Sequence, residues 1–148
     1  FPQMMIGVRR ATGRNVYEAT RIARTEGQRA ASIGASDSYE RAQENGIRGR
    51  EIWDATLDGA TRPSHQTLDG KPKPRSGFWT VMHEGELVRT PGPLRAGPAS
   101  FVINCRCRPR FQVRGHCPKI RRTRYQGIVP YTKYPKWQKG LNKQGKFA

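Results

Sequence analysis

The sequence predicts an α+β fold: an N-terminal helix or two helices packed on a small antiparallel sheet, with an extended basic C-terminal arm. Three observations predict it. A Pro-free stretch rich in Ala, Glu and Arg covers residues 14–45. Short runs with apolar residues among polar ones follow at 50–57, 78–82 and 100–113. Beyond Val113 the pattern dissolves into basic residues with isolated aromatics. Helix first and short strands afterwards is the order of an α+β domain with an antiparallel sheet.

The elements follow in order. A short opening holds Phe1, Pro2, Met4, Met5, Ile6 and Val8, and Thr12-Gly13 reads as a turn. In the helical stretch Val16, Ala19, Ile22, Ala23, Ala30 and Ile33 recur mostly at steps of three and four, which makes a narrow apolar stripe. Gly27 and Gly34 weaken it, since each glycine costs about 1 kcal/mol in a helix interior. Gly34 with Ser36 marks a break if there are two helices, and Asn45-Gly46 is a natural stop. Ile52, Trp53, Ala55 and Leu57 among polar neighbours suit a short strand, and a compact turn region with Pro63 and Asp69-Gly70 comes next. Residues 78–82 read as a second strand. Residues 100–113 read as a third, with Phe101, Ile103 and Cys105 on one alternating face. A Pro/Gly-rich connection at 90–98 joins them. Past Val113, Tyr125, Tyr131, Tyr134, Trp137 and Phe147 are expected to anchor the arm. The expected division is thus an α+β domain at 1–113 and a basic, aromatic-anchored arm at 114–148.

An apolar fraction of 34% in 148 residues is low, and 16 Gly with 11 Pro imply much loop, so one modest core is expected. No window approaches the roughly 18 consecutive apolar residues of a membrane span, which predicts a soluble protein without a membrane partner. The chain opens on Phe1 with no signal-like segment, as a fragment or processed product would.

The net charge of +17 is unevenly spread. All 11 acidic residues lie at or before Glu86, where 13 basic residues leave a net of +2. The remainder carries 15 Lys and Arg with no acid, a net of +15. A segment so charged repels itself unless anions accompany it, and nucleic acid is the commonest large anion. A solvated charged face and an acidic protein partner are the other readings. Contact is expected at Arg108, Arg110, Arg114, Lys119, Arg121, Arg122 and Arg124, with phosphates and without sequence readout, since nothing resembles a recognition helix or a zinc finger.

The densest set of uncommon residues is Asp58, Arg62, His65 and Asp69-Gly70, then Asn104-Cys105-Arg106-Cys107. This order, D-x-x-x-R-x-x-H-x-x-x-D-G followed at a distance by N-C-R-C, resembles the conserved C-terminal domain of the phage Mu F-like minor head protein (head morphogenesis) family. Ala23-Arg24-Thr25-Glu26 on the helix and Trp53 before the Asp add to the likeness, which runs from about Arg21 to Arg108. Tyr134-x-x-Trp137 looks like the aromatic pair that often closes such proteins. Family members usually carry a sizeable helical region ahead of this domain, and the start at Phe1 leads one to expect that it is missing here. The resemblance implies a structural minor head protein of a tailed phage, near the portal, aiding head assembly or genome delivery. It further implies phage DNA and the portal or major capsid protein as partners. Its place would be the virion, after assembly in the bacterial host cytoplasm. On this reading the chain is not an enzyme and needs no cofactor.

The residues themselves leave alternatives open. Cys105 and Cys107, two apart on a strand, would face one way and form half of a zinc site, with His65 supplying imidazole and Cys117 or His116 a fourth ligand. The preferred reading is plain packing of two small half-buried thiols against the first helix, with Cys117 free; a disulfide would need Cys117 to reach back. Asp58 is expected to cap backbone amides, Arg62 to pair with Glu26 or Asp58, and His65 to hold its loop by hydrogen bonds. The place of Glu26 in the family motif argues for a buried ion pair with Arg62 or Arg106. Asp69-Gly70 reads as a tight turn without chemistry. The competing function classes are a small basic nuclease or toxin, with Glu26, Arg62 and His65 as base, phosphate clamp and acid, and a zinc-stabilised nucleic-acid-binding module.

Overall fold

The computed structural model describes residues 1–144; Phe147, one of the expected anchors, lies outside them. Two helices open the chain, α1 (Pro2–Thr12) and α2 (Val16–Glu44). The first buries none of its residues, although Met5 and Val8 are half-buried. It starts on a proline at its first position, where the missing N–H costs nothing. It ends at Gly13, whose left-handed backbone (φ 64°) returns its N–H to the Arg9 carbonyl. Asn15 then caps α2, its side chain accepting from the Glu18 amide at 3.0 Å. The two helices therefore divide at Gly13. At Gly34 α2 continues, exposed on its outer side with nothing near enough to bend it.

The face that α2 turns inward is made of small residues. Ala19, Ala23, Thr25, Ser32 and Ser36 are buried, whereas Val16 and Ile33 of the expected stripe are 43% and 37% exposed. Small side chains let the rest of the fold approach the helix backbone, and their hydroxyls fasten it. Ser32 donates to the Pro93 carbonyl at 2.9 Å and Ser36 to Glu51 at 2.7 Å.

Among the described residues the strands form three two-stranded antiparallel sheets: β1 (Gly49–Asp54) with β4 (Arg108–Val113), β2 (Trp79–His83) with β3 (Glu86–Thr90), and β5 (Ile120–Arg122) with β6 (Ile128–Pro130). One-turn helices α3 (Pro63–Leu68) and α4 (Ala99–Val102) lie between them. The expected strand at 100–113 is corrected. Its first residues are α4, because the Pro98 carbonyl accepts from the amides of both Phe101 and Val102. Asn104 then takes a left-handed conformation (φ 57°), and extended pairing begins only at Arg108. Phe101 and Cys105 are buried, but Ile103 is not; their apparent alternation crosses a turn.

The main core gathers Trp53, Trp79, Phe101, Leu68 and Leu94 with both cysteines. Trp53 meets Trp79 edge-on with ring centroids 5.5 Å apart. The arm folds back on this core. After β5 and β6, helix α5 (Tyr134–Gln144) packs Tyr134, Trp137 and Leu141 on Leu57 in a second cluster. Among the described residues no helix is long and apolar enough to cross a membrane.

Candidate functional site

His65 is presented by α3, and Cys105 and Cys107 by the loop between α4 and β4. The three are 1%, 3% and 2% exposed, and His65 Nδ1 stands 3.4 Å from each sulfur. The ring is wedged edge-on between Trp53 and Phe101, at centroid distances of 5.5 and 4.3 Å, and its Nε2 is buried without a hydrogen-bond partner. The hydrogen bond with Cys107 pulls the Cys105 thiol down to about 5, against burial and with help from His65. The same bond, together with burial, drives the Cys107 thiol well above its ordinary value. Cys117, the expected fourth ligand, lies apart: exposed in the turn after β4, its sulfur accepts from Gln112 at 3.5 Å. His116 is exposed beside it.

A second group holds the motif loop. Asp58 is fully buried and accepts from the Ala60 amide at 3.0 Å, the Thr61 hydroxyl at 3.2 Å and Arg106 at 3.0 Å. Arg62 is not its partner and donates instead to the Ile103 carbonyl. The buried ion pair expected of Glu26 is corrected as well. Glu26 points to solvent and pairs with Arg29 one turn on, at 2.9 Å, because its neighbour Thr25 is the residue that faces the motif loop and accepts from the Asn104 amide. The nuclease constellation is therefore not assembled: Glu26 lies on the outer side of α2, while His65 is sealed in the core.

Asp69, expected only to turn the chain, is a hub. It accepts from the Ala55 and Tyr134 amides at 2.8 Å and from both terminal nitrogens of Arg121 at 2.7 and 2.8 Å. Arg121, expected at a phosphate, is 7% exposed and also bridges Asp54 at 3.2 Å and the Ala55 carbonyl. Burial works against its charge, but the two carboxylates more than offset this and raise its pKa. Nothing local marks such an arginine within a basic run.

Several of the remaining cations line two clefts. One, of about 540 Å³, is walled by Arg106, Arg108, Arg122 and Arg124 with Arg121 and Asp54 also in its lining. Burial, the largest influence, raises the Asp54 pKa against the pull of Arg121 and Arg110. The other, of about 560 Å³ and bordered by the far ends of β1 and β4, places Arg114 beside Arg48 and Arg50, which the sequence did not single out. Arg110 is half-buried behind Tyr131, and Lys119 is exposed.

Residues 7–110 match the family described as Phage Mu protein F like protein, over the region where the motifs already pointed to it. A curated relative, NAD(+)--arginine ADP-ribosyltransferase EFV of Enterococcus faecalis, is 36% identical over 121 residues. Those residues are 81% of this chain and 24% of the relative, so the chain spans about a quarter of that protein's length. No solved structure matches the chain. The expectation that the chain is not an enzyme is overturned, since the curated protein it matches is named as one.

Proposed function

We propose, on the premise that the chain belongs to the Phage Mu protein F-like family, that it is a head-morphogenesis component of a tailed phage that grips the DNA backbone. Family membership supports the role in head morphogenesis. The contact with DNA is inferred from one observation, the cleft walled by Arg106, Arg108, Arg122 and Arg124. Guanidinium groups so placed meet phosphate oxygens two at a time, fix the duplex in place and read no bases. In this proposal the protein sits in the virion near the portal, with the portal or major capsid protein as neighbour, and aids assembly or genome delivery. Titration of labelled duplexes of unrelated sequence at several salt concentrations tests it. Affinities should agree among sequences, and replacing Arg108, Arg122 and Arg124 by Ala should flatten the slope of log affinity against log salt by about 0.9 per lost phosphate contact. An unchanged slope would move the contact elsewhere.

A second reading rests on the relative's name. In it the same arginines would hold the pyrophosphate of NAD+ while the bond from ribose C1′ to nicotinamide breaks. A new bond from C1′ to an arginine nitrogen would form, with nicotinamide and a proton released. Formation of ADP-ribosylated arginine together with nicotinamide from NAD+ and free arginine would establish this reading; formation no faster than without protein would sink it.

A further inference from the structure

We propose that His65 Nδ1, Cys105 Sγ and Cys107 Sγ are the protein ligands of one zinc ion that staples α3 to the loop ahead of β4. The proposal is independent of the arginine cleft and of any role in DNA binding.

Geometry comes first. An imidazole nitrogen offers either one proton or one lone pair, so it satisfies one thiol and not two. Yet Nδ1 lies 3.4 Å from both sulfurs, and the three donor atoms all fall within 4.8 Å of one another. Three donors converging equally have a common centre as their natural partner. A tetrahedral zinc with Zn–S of about 2.3 Å and Zn–N of about 2.0–2.1 Å separates sulfur from nitrogen by about 3.6 Å. The observed spacing is within a few tenths of an ångström of that.

The environment agrees. Nε2 of His65 has no hydrogen-bond partner, so the ring is oriented by its packing on Trp53 and Phe101 and by whatever Nδ1 engages. Two thiolates and a neutral imidazole around Zn2+ carry no net charge, which suits a site sealed by aromatic side chains. Oxygen donors are missing from the set, which disfavours magnesium and calcium, and two sulfurs with one nitrogen suit zinc. Cys117 is exposed and hydrogen-bonded to Gln112, so it is not in the set, and the fourth position is left to a ligand from outside the three. Zinc takes the cysteines as thiolates, so affinity should fall as pH falls and protons compete for the sulfurs.

In the sequence, two thiols sharing a strand face would form half of a zinc site, and plain packing was nevertheless the preferred reading. The loop that replaces that strand turns both sulfurs onto one nitrogen.

The test is native mass spectrometry of the full chain before and after chelation, followed by addition of zinc alone. One zinc should be present or taken up per chain. Cobalt(II) added in its place should show the intense sulfur-to-metal absorption of thiolate ligation. Removal should lower Tm by on the order of 10 °C. Cys117→Ser should bind as the parent does, while Cys107→Ser should lose the stoichiometric metal. Because that variant also risks misfolding, the cobalt spectrum of the parent chain and the Cys117→Ser comparison carry the decision. A folded parent chain that takes up no zinc, or metal lost in Cys117→Ser and kept in Cys107→Ser, would overturn the proposal.

Discussion

Arg121 lies in the acid-free part of the sequence, yet it is bound to two carboxylates drawn from the acidic part. Replacing Asp69 by Asn keeps the shape and removes the charge. It leaves a guanidinium that is 7% exposed with a weakened partner, and the expected cost is about 3–5 kcal/mol in urea unfolding. An Asp69→Leu, Arg121→Met pair should lose less than the sum of its single changes, since it buries no unpaired charge. A single Asn variant costing less than about 1 kcal/mol would mean that the hub contributes little. Asp54 behaves in the opposite sense. Burial lifts its folded pKa above the ordinary 3.8, so the folded chain holds that proton more tightly than the unfolded one. The resulting stability is fully present below the unfolded value and is lost as pH rises through the folded one. Asp54→Asn should therefore gain on the parent chain as pH rises above the ordinary 3.8, and a loss in that direction would reverse the sign. At this scale the sequence revealed what is rare. His65, Cys105 and Cys107 stood out because few His and Cys occur, and the structure brings them together. Asp69 and Arg121 were hidden because Asp-Gly reads as a turn and an arginine among arginines reads as surface.

The same division holds for elements. Residues 50–57 and 78–82 were legible because their apolar positions alternate or cluster as strands require, and β1 and β2 form there. β3 falls almost wholly in residues 83–89, which the sequence pattern assigned to no element, and α3 lies inside a turn region with Pro63. Both are short: β3 is the second strand of a tight hairpin with β2, and α3 has only six residues, too few for a periodic pattern to report. α2 was legible as a helix but not as a surface, since its inward face is marked by smallness and not by hydrophobicity. That face predicts its own mutational sensitivity. Ala23 is 1% exposed, and Ala23→Leu should cost about 1–3 kcal/mol through overpacking, whereas Ile33, exposed on the other side, should accept Ala with a change below about 1 kcal/mol. α5 gives the complementary case. Trp137 is 6% exposed and covers Leu57 together with Tyr134 and Leu141. Trp137→Ala should cost about 3–5 kcal/mol by opening a cavity over Leu57. A cost near zero in thermal or urea melts would show that the second cluster is not coupled to the fold.

For the whole molecule, charge acts on two observables with opposite sign. The chain carries a net charge of +17, with exposed arginines crowded around the clefts, while its most buried ion pair is screened from solvent. Raising ionic strength from 0.01 to 0.15 M shortens the screening length from about 30 to about 8 Å. Repulsion among exposed arginines should weaken, but Asp69 and Arg121, at 2.7 Å and buried, should hold their attraction nearly unchanged. Tm should consequently rise with salt, while affinity for duplex DNA falls over the same range. DNA at low salt should supply the missing counter-charge itself, and at a hundredfold excess over its Kd it should stabilise the fold by about 2.7 kcal/mol. The two salt trends separate the contributions of the charge. If Tm fell with salt, exposed ion pairs would outweigh repulsion, and the excess of arginine would not be a strain that DNA relieves. If Tm rose but the DNA affinity were indifferent to salt, the arginines would repel one another without serving as the phosphate site.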